Sequence, residues 1–257
     1  MNDIFSVNFS HNQWDGKTVC FLGDSITDGV GVGKGERYFD LLPAMTGIKA
    51  YGYGVNGAQS INLLDQIKRM KDEHGADVDA IFVFIGTNDY NSSVPLGDWF
   101  VMSEAEVVTA RDADGNTVSS ETRPKRDLSF DRDTFRGRMN IVMAELRHSY
   151  PHSTILLMTP IHRGYACFGQ TNIQFPENYS NHLGLFVDSY VNVVREAADV
   201  WATELIELHR VSGLFPCFDE SADDFANVDH DRLHPGKRGH ERMARAIAAK
   251  MRCIAVK

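Results

Sequence analysis

The sequence lacks the features that mark several large classes of protein. None of its 257 residues lie in a run approaching the roughly 18 apolar residues of a transmembrane helix. Lys and Arg number 26 against 35 Asp and Glu, and a net charge of −9 argues against a nucleic-acid binder, which would carry a basic stripe. Residues 1–16 show no basic region followed by an apolar run, so we expect no signal peptide and a cytoplasmic protein. Secretion is the alternative if a leader has been removed.

Cysteine is scarce. None of the four cysteines forms a C-x-x-C pair or stands beside histidines at zinc spacing, so we expect no metal site. Cys20 lies in an apolar run, where a free thiol behaves as a small hydrophobe. We expect all four thiols to be reduced; pairing of Cys167 with Cys217, which lie in loop-like sequence, is the alternative.

What the chain does contain is a regular alternation of strand and helix patterns. Strands are predicted over 19–22, 49–55, 80–85, 154–158 and 204–208, and helices over 38–45, 60–70, 133–149, 182–201 and 237–251. Pro43 should limit the first helix, and Ser60 should cap the second. Alternation of this kind predicts an α/β fold with a parallel sheet in three layers, formed as a single domain by residues 1–257.

Two segments interrupt the alternation. Residues 90–131 contain an Asp-Gly pair between runs rich in Val and Thr, which predicts an inserted β-hairpin near the site entrance. A mobile surface loop is the alternative. Residues 159–181 form a long polar and aromatic loop after the fourth strand, and loops of this length are usually functional or disordered.

The first strand leads directly to a candidate nucleophile. Gly23, Asp24 and Ser25 follow it, and ligands of open parallel sheets collect at the carboxyl ends of the strands. Ser25 could therefore attack a substrate if a base removes its proton. The alternative is a turn followed by a helix cap, because these residue types favour turns.

A base can be chosen from the ten histidines by spacing. His234 lies three residues after Asp231, in a predicted tight turn closed by Pro235, so one short segment could supply both a base and the carboxylate that orients it. His230 with Asp229 is the second candidate. An aspartate cap with a surface histidine would be the structural alternative. With a histidine base, activity should rise with pH as the imidazole loses its proton.

Four short stretches together resemble the signature blocks of the GDSL/SGNH hydrolases, in the family's order. They are GDSIT at 23–27, NGAQS at 56–60, GTND at 86–89 and DRLH at 231–234. The resemblance covers about residues 17–251, with GDSIT in place of GDSL. It implies a flavodoxin-like three-layer α/β/α fold with a five-stranded parallel sheet. It further implies catalysis by Ser25, Asp231 and His234, and an oxyanion hole from the N–H groups of Ser25 and Gly57 and the Asn88 amide.

Other polar residues near the strand ends receive less direct assignments. Asp24 and Asp89 should hold their turns by bonding local N–H groups, and Asn88 could itself be a structural turn residue. Substrate contacts are expected from Tyr90, His162 and Arg163, although Arg163 could instead tie its loop down. Tyr165 and Phe168 could line the pocket.

These observations favour a serine esterase that needs no cofactor and acts on a small-molecule or saccharide ester. The sequence has no large apolar lid, which argues against a long-chain lipase; family analogy favours acetyl groups on carbohydrates. The alternatives are an acyltransferase or thioesterase with the same machinery, and a non-catalytic carbohydrate-binding protein. Nucleotide binding by the glycine-rich stretch 29–35 is disfavoured because the G-K-[ST] ending is missing. The oligomeric state is left open.

Overall fold

The structure is a computed structural model that describes residues 12–256. Its strands are β1 Thr18–Gly23, β2 Lys49–Gly52, β3 Ala80–Phe84, β4 Phe100–Arg111, β5 Thr117–Leu128, β6 Thr154–Met158, β7 Ala166–Cys167, β8 Ile173–Gln174, β9 Glu204–Ile206, β10 Phe225–Asn227 and β11 Asp231–Pro235. Its helices are α1 Ser25–Asp28, α2 Tyr38–Thr46, α3 Leu63–His74, α4 Thr87–Asn91, α5 Phe135–Ser149, α6 Val187–Val200, α7 Leu208–Val211 and α8 Lys237–Met251. Short 3₁₀ segments span Ser60–Asn62 and Asp219–Asp224.

Five parallel strands form the central sheet in the order β2-β1-β3-β6-β9. The two middle strands, β3 and β6, have the sequences AIFVF and TILLM and are buried along their whole length. Continuous apolar runs are what parallel strands covered on both faces require. The prediction of an α/β fold with a five-stranded parallel sheet is confirmed.

Helices cover both faces of this sheet. Cys20 and Leu22 of β1 pack into one apolar core with α3, α5 and α6, whereas Val19 and Phe21 pack into a second core with α2 and α8. Alternate side chains of one strand therefore reach opposite layers, as the pleat requires. Burial raises the pKa of the Cys20 thiol to about 12, and all four cysteines are free.

Several predicted element boundaries were wrong. Helix α2 continues through Pro43 and ends where Gly47 adopts a left-handed conformation with φ of 75°. Ser60 does not act as the predicted cap of an α-helix but begins a 3₁₀ turn, because its N–H and hydroxyl groups both donate to the buried carboxylate of Asp89. The elements predicted over 49–55, 182–201 and 204–208 are each shorter than expected.

The insertion at 90–131 contains the predicted hairpin, formed by β4 and β5. Nearly all of its strand residues are exposed on both faces. Its base is held where the Asn140 amide of α5 donates to the carbonyl oxygens of Trp99 and Ser129. The hairpin thus projects from the layer of α5, and a position at the site entrance stays a prediction.

The segment 159–181, predicted as a long loop, contains two short strands. Strands β7 and β8, within 159–181, pair with each other, β7 also pairs with β11, and β10 completes a four-stranded sheet in the order β10-β11-β7-β8. None of the helices within residues 12–256 combines the length and apolar character needed to cross a bilayer.

Candidate active site

Ser25 is the first residue of α1, directly beyond the carboxyl end of β1. Asp24 caps this helix, since its Oδ1 accepts the Ile26 N–H at 3.1 Å. The sharp turn depends on Gly23, where a Cβ would lie 2.2 Å from Thr27 Oγ1 and 2.8 Å from the carbonyl oxygen of Phe84. The close approach of β1, α1 and β3 therefore places the serine hydroxyl at the sheet edge.

His234, near the other end of the chain, contacts the Ser25 hydroxyl. Its Nε2 lies 2.9 Å from Ser25 Oγ, and its Nδ1 lies 2.8 Å from Asp231 Oδ2. The second oxygen of Asp231 accepts the N–H groups of Leu233 and His234 at 3.1 and 3.0 Å, so both carboxylate oxygens are fixed. With Nδ1–H directed at the carboxylate, Nε2 can accept the serine proton.

The segment that carries Asp231 and His234 is a strand rather than the predicted tight turn. Arg232 of β11 donates its N–H to the Tyr165 oxygen at 2.9 Å and accepts the Gly164 N–H at 2.8 Å. The N–H of Cys167 donates to the His230 oxygen at 2.8 Å. These backbone bonds to residues 164–167 hold the base and its orienting carboxylate from the side opposite β10.

Three hydrogen-bond donors lie in the turns that match the oxyanion blocks. The backbone N–H groups of Ser25 and Gly57 have no acceptor among the residues that the structure describes. Gly57 has φ of 77°, a conformation that favours glycine. The Asn88 amide donates one hydrogen to the Ala58 oxygen at 3.0 Å, which leaves its other hydrogen for a ligand.

Asp89 joins these two turns. Its side chain is fully buried and accepts the N–H and hydroxyl of Ser60 at 2.9 and 2.7 Å, and Arg138 of α5 pairs with it at 3.2 Å. Burial raises the pKa of Asp89, while the bonds from Ser60 and Arg138 oppose that rise. The carboxylate has the structural role expected of it, but it bonds Ser60 and Arg138 rather than the predicted local N–H groups, and so holds the turn of Gly57 against the helix that carries Asn88.

The sequence of this chain was compared with those of known protein families. The GDSL-like lipase/acylhydrolase family matches residues 21–242. The chain belongs to this family. Membership implies an ester hydrolase in the broad sense. No curated protein sequence matches the chain.

Several solved structures share the fold at low sequence identity. A Lactobacillus plantarum protein is 24% identical with a TM-score of 0.68, covering 92% of this chain and 96% of its own. A possible lipase from Chitinophaga pinensis is 21% identical with a TM-score of 0.63, covering 92% and 98%. An acetyl xylan esterase is 21% identical with a TM-score of 0.54, covering 91% and 98%.

The residues predicted to contact substrate in this GDSL-family chain bond mainly to loops. Tyr90 is buried and donates its hydroxyl to the Tyr179 oxygen at 2.6 Å. His162 Nδ1 lies 2.8 Å from Glu177 Oε1. Arg163 is 1% exposed, and burial lowers its pKa to about 10. The Arg163 guanidinium donates to the side-chain oxygens of Asn91 and Gln174, an arrangement that fits the alternative of tying the loop down.

Phe168 and the glycine-rich stretch 29–35 both lie close to His234. The Phe168 ring centroid lies 5.4 Å from that of His234. A Cβ on Gly31 would lie 3.6 Å from the Cβ of His234, so this loop passes beside the site. Tyr165 is exposed and directly precedes β7, the strand next to β11. The second candidate base, His230, is exposed, and its backbone N–H donates to Asn227.

Sequence reasoning missed two contributors to this GDSL-family site. The first is Arg138, whose ion pair fixes Asp89, and the second is the strand pairing of residues 164–167 with β11. Both depend on segments far apart in the chain, and neither carries a local motif. The position of Ser25 at a strand end, by contrast, is predictable because the apolar run, the turn and the serine are contiguous in the sequence.

Proposed function

We propose that this protein is a serine esterase that hydrolyses short-chain carboxylic esters, with acetyl esters of carbohydrates as its substrates. The observation that carries the proposal is the hydrogen-bonded row from Ser25 Oγ through His234 to Asp231, at 2.9 and 2.8 Å. A serine hydroxyl is a weak nucleophile until an adjacent base takes its proton, and the row supplies that base.

The reaction follows from this row. As Ser25 Oγ bonds to the ester carbonyl carbon, its proton moves to His234 Nε2, and Asp231 stabilises the imidazolium. The tetrahedral intermediate then breaks its bond to the alcohol oxygen, which takes the proton from His234. Water repeats the sequence on the acyl-enzyme, releasing the carboxylic acid and returning the proton to Ser25. No cofactor enters the scheme.

Negative charge on the carbonyl oxygen requires fixed donors. In our proposal these are the N–H groups of Ser25 and Gly57 and the Asn88 amide. The absence of an acceptor for both backbone groups among the described residues supports this role, as does the Asp89 bridge between the two turns.

The structural neighbours guide the choice of substrate. They include a possible lipase and an acetyl xylan esterase, and the second of these makes acetyl esters of neutral polysaccharides the first substrates to test.

The proposal is tested by hydrolysis of p-nitrophenyl acetate, butyrate and octanoate with the wild type and with Ser25→Ala. Activity should be highest on acetate, fall with chain length and vanish in Ser25→Ala. If added alcohols take the acyl group in preference to water, the protein is an acyltransferase. If no ester or thioester is turned over in a Ser25-dependent reaction, the proposal fails. The remaining candidate is then a binding protein with this fold.

A further inference from the structure

A groove with a volume of about 470 Å³ lies between α4 and a later loop segment. One wall belongs to α4, the helix that also carries Asn88, and the other belongs to residues 172–175 and 179–182. Phe168 links the second wall to His234 of the candidate active site. Its N–H donates to the Asn172 oxygen at 2.9 Å, and its ring centroid lies 5.4 Å from that of His234. A substrate whose ester reaches Ser25 could therefore extend into this groove.

The lining of the groove combines apolar side chains with amide and hydroxyl groups, and His182 is its one imidazole. No carboxylate, ammonium or guanidinium group is found among its described lining residues, although the chain as a whole carries a net charge of −9. The side chain of Asn172, the Nε2 group of Gln174 and the Tyr179 hydroxyl have no hydrogen-bond partner within residues 12–256. Amide and hydroxyl groups that lack protein partners match the hydroxyl groups of a neutral ligand.

Two aromatic rings stand open at one side of this groove. Phe175 is 59% exposed and Tyr179 is 55% exposed, and their ring centroids lie 5.7 Å apart at an angle of 43°. Together the two rings form an exposed apolar patch, and such patches on protein surfaces often mark ligand-binding grooves. The apolar C–H face of a pyranose packs on such rings while its hydroxyl groups reach the amides around them.

We propose that this groove binds the saccharide part of the ester and that Phe175 and Tyr179 form its stacking platform; the inference rests on the proposed esterase function. The uncharged lining selects a neutral sugar chain over a phosphorylated or acidic alcohol, because a buried or half-buried charge without a partner is costly. The exposed polar amides likewise distinguish the groove from a channel for a long acyl chain.

Arg163 serves this groove as a positioning residue rather than as a ligand-contacting one. It is buried beneath the lining and donates to the side-chain oxygens of Asn91 and Gln174, and the Asn91 amide also donates to Gln174 Oε1 at 2.6 Å. Since Gln174 Oε1 accepts both bonds, the orientation of its amide is fixed and Nε2 is left as the donor for a sugar hydroxyl.

The test compares acetylated xylo- and manno-oligosaccharides with p-nitrophenyl acetate, using wild type, Phe175→Ala and Tyr179→Ala. Phe130→Ala is the matched control, because Phe130 is similarly exposed at 53% but lies beside the base of the hairpin. Each groove variant should raise the KM for at least one oligosaccharide by about tenfold and leave kcat/KM on p-nitrophenyl acetate within about twofold. The control should change neither.

Binding to Ser25→Ala, measured by calorimetry with the same oligosaccharides, separates the two proposals. Ester turnover that depends on Ser25, with every oligosaccharide KM unchanged in both groove variants, would overturn the groove assignment and leave the esterase standing. Oligosaccharide binding that weakens on adding Tyr179→Ala, without ester turnover by the wild type, would support the groove and overturn the esterase.

Discussion

Asp24 shows how a single residue serves the site without entering the chemistry. It is 2% exposed, and its carboxylate caps α1 through the Ile26 N–H. Burial raises its pKa to about 6, against the opposing effects of the Ile26 bond and of nearby His234. The folded protein thus favours the protonated form more than the unfolded chain does.

This shift gives a pH dependence with a defined sign. A carboxyl group whose pKa rises on folding contributes stability that is full below about pH 4 and is lost as pH rises through about 6. Asp24→Asn keeps the capping oxygen without the charge. Relative to wild type, its free energy of unfolding should therefore increase by up to ~3 kcal/mol between pH 4 and pH 8. Urea unfolding at several pH values measures this, and parallel curves for the two proteins would contradict it.

Asn88 is the residue whose amide we assign to the oxyanion hole. Asn88→Ala should lower kcat on p-nitrophenyl acetate by about 10²–10³-fold, equivalent to about 3–4 kcal/mol, with little change in KM. Asn56→Ala, an exposed asparagine in the neighbouring Gly57 turn, should keep kcat near that of the wild type. A kcat for Asn88→Ala within about threefold of wild type would limit Asn88 to its bond with the Ala58 oxygen.

At the scale of elements, the projecting hairpin is the one most easily separated from the site. Strands β4 and β5 are almost wholly exposed, so they contribute little apolar burial. Val101 and Asp127 are cross-strand partners, which allows residues 102–126 to be replaced by an Asn-Gly turn. We expect the shortened protein to keep its melting temperature and its kcat/KM on p-nitrophenyl acetate.

Circular dichroism melts and the same ester assay provide the readouts for this excision. A large loss of kcat/KM with an unchanged melting temperature would place the hairpin at the site entrance after all. A large drop in melting temperature would show that the hairpin is part of the core, contrary to its exposure.

The elements differ in how far sequence alone could predict them. Strands β1, β3 and β6 were predictable because an apolar run bounded by turn residues is a local signal. The four-stranded sheet that holds β11 was not, since β7 and β8 are only two residues long and β7 joins β11 from a distant part of the chain. The same distinction holds within the site: the D-x-x-H spacing was visible, whereas the support from residues 164–167 was not.

The groove could not be predicted from the sequence either, for a related reason. Phe175 and Tyr179 belong to a segment without periodicity, and their adjacency arises from the path of the loop. Arg163 was correctly seen as near a strand end, but its burial depends on Asn91 and Gln174, which approach it from separate segments.

At the scale of the whole molecule, the site joins the two ends of the described chain. Ser25 and His234 are brought together because α2 packs on α8, where the Tyr38 N–H donates to His240 Nδ1 at 3.0 Å. The Tyr38 hydroxyl lies 2.9 Å from Thr27 Oγ1, in the helix that begins with Ser25. Burial lowers the pKa of His240 to about 4, which keeps its imidazole neutral and able to accept this bond.

The proposed mechanism requires His234 to activate Ser25 for covalent attack, and labelling with a fluorophosphonate followed by peptide mass spectrometry measures that activation. We expect one label per chain, on Ser25, with no label in Ser25→Ala and labelling of His234→Ala slowed by at least about 10³-fold. Modification of a different residue, or labelling of His234→Ala at the wild-type rate, would contradict it.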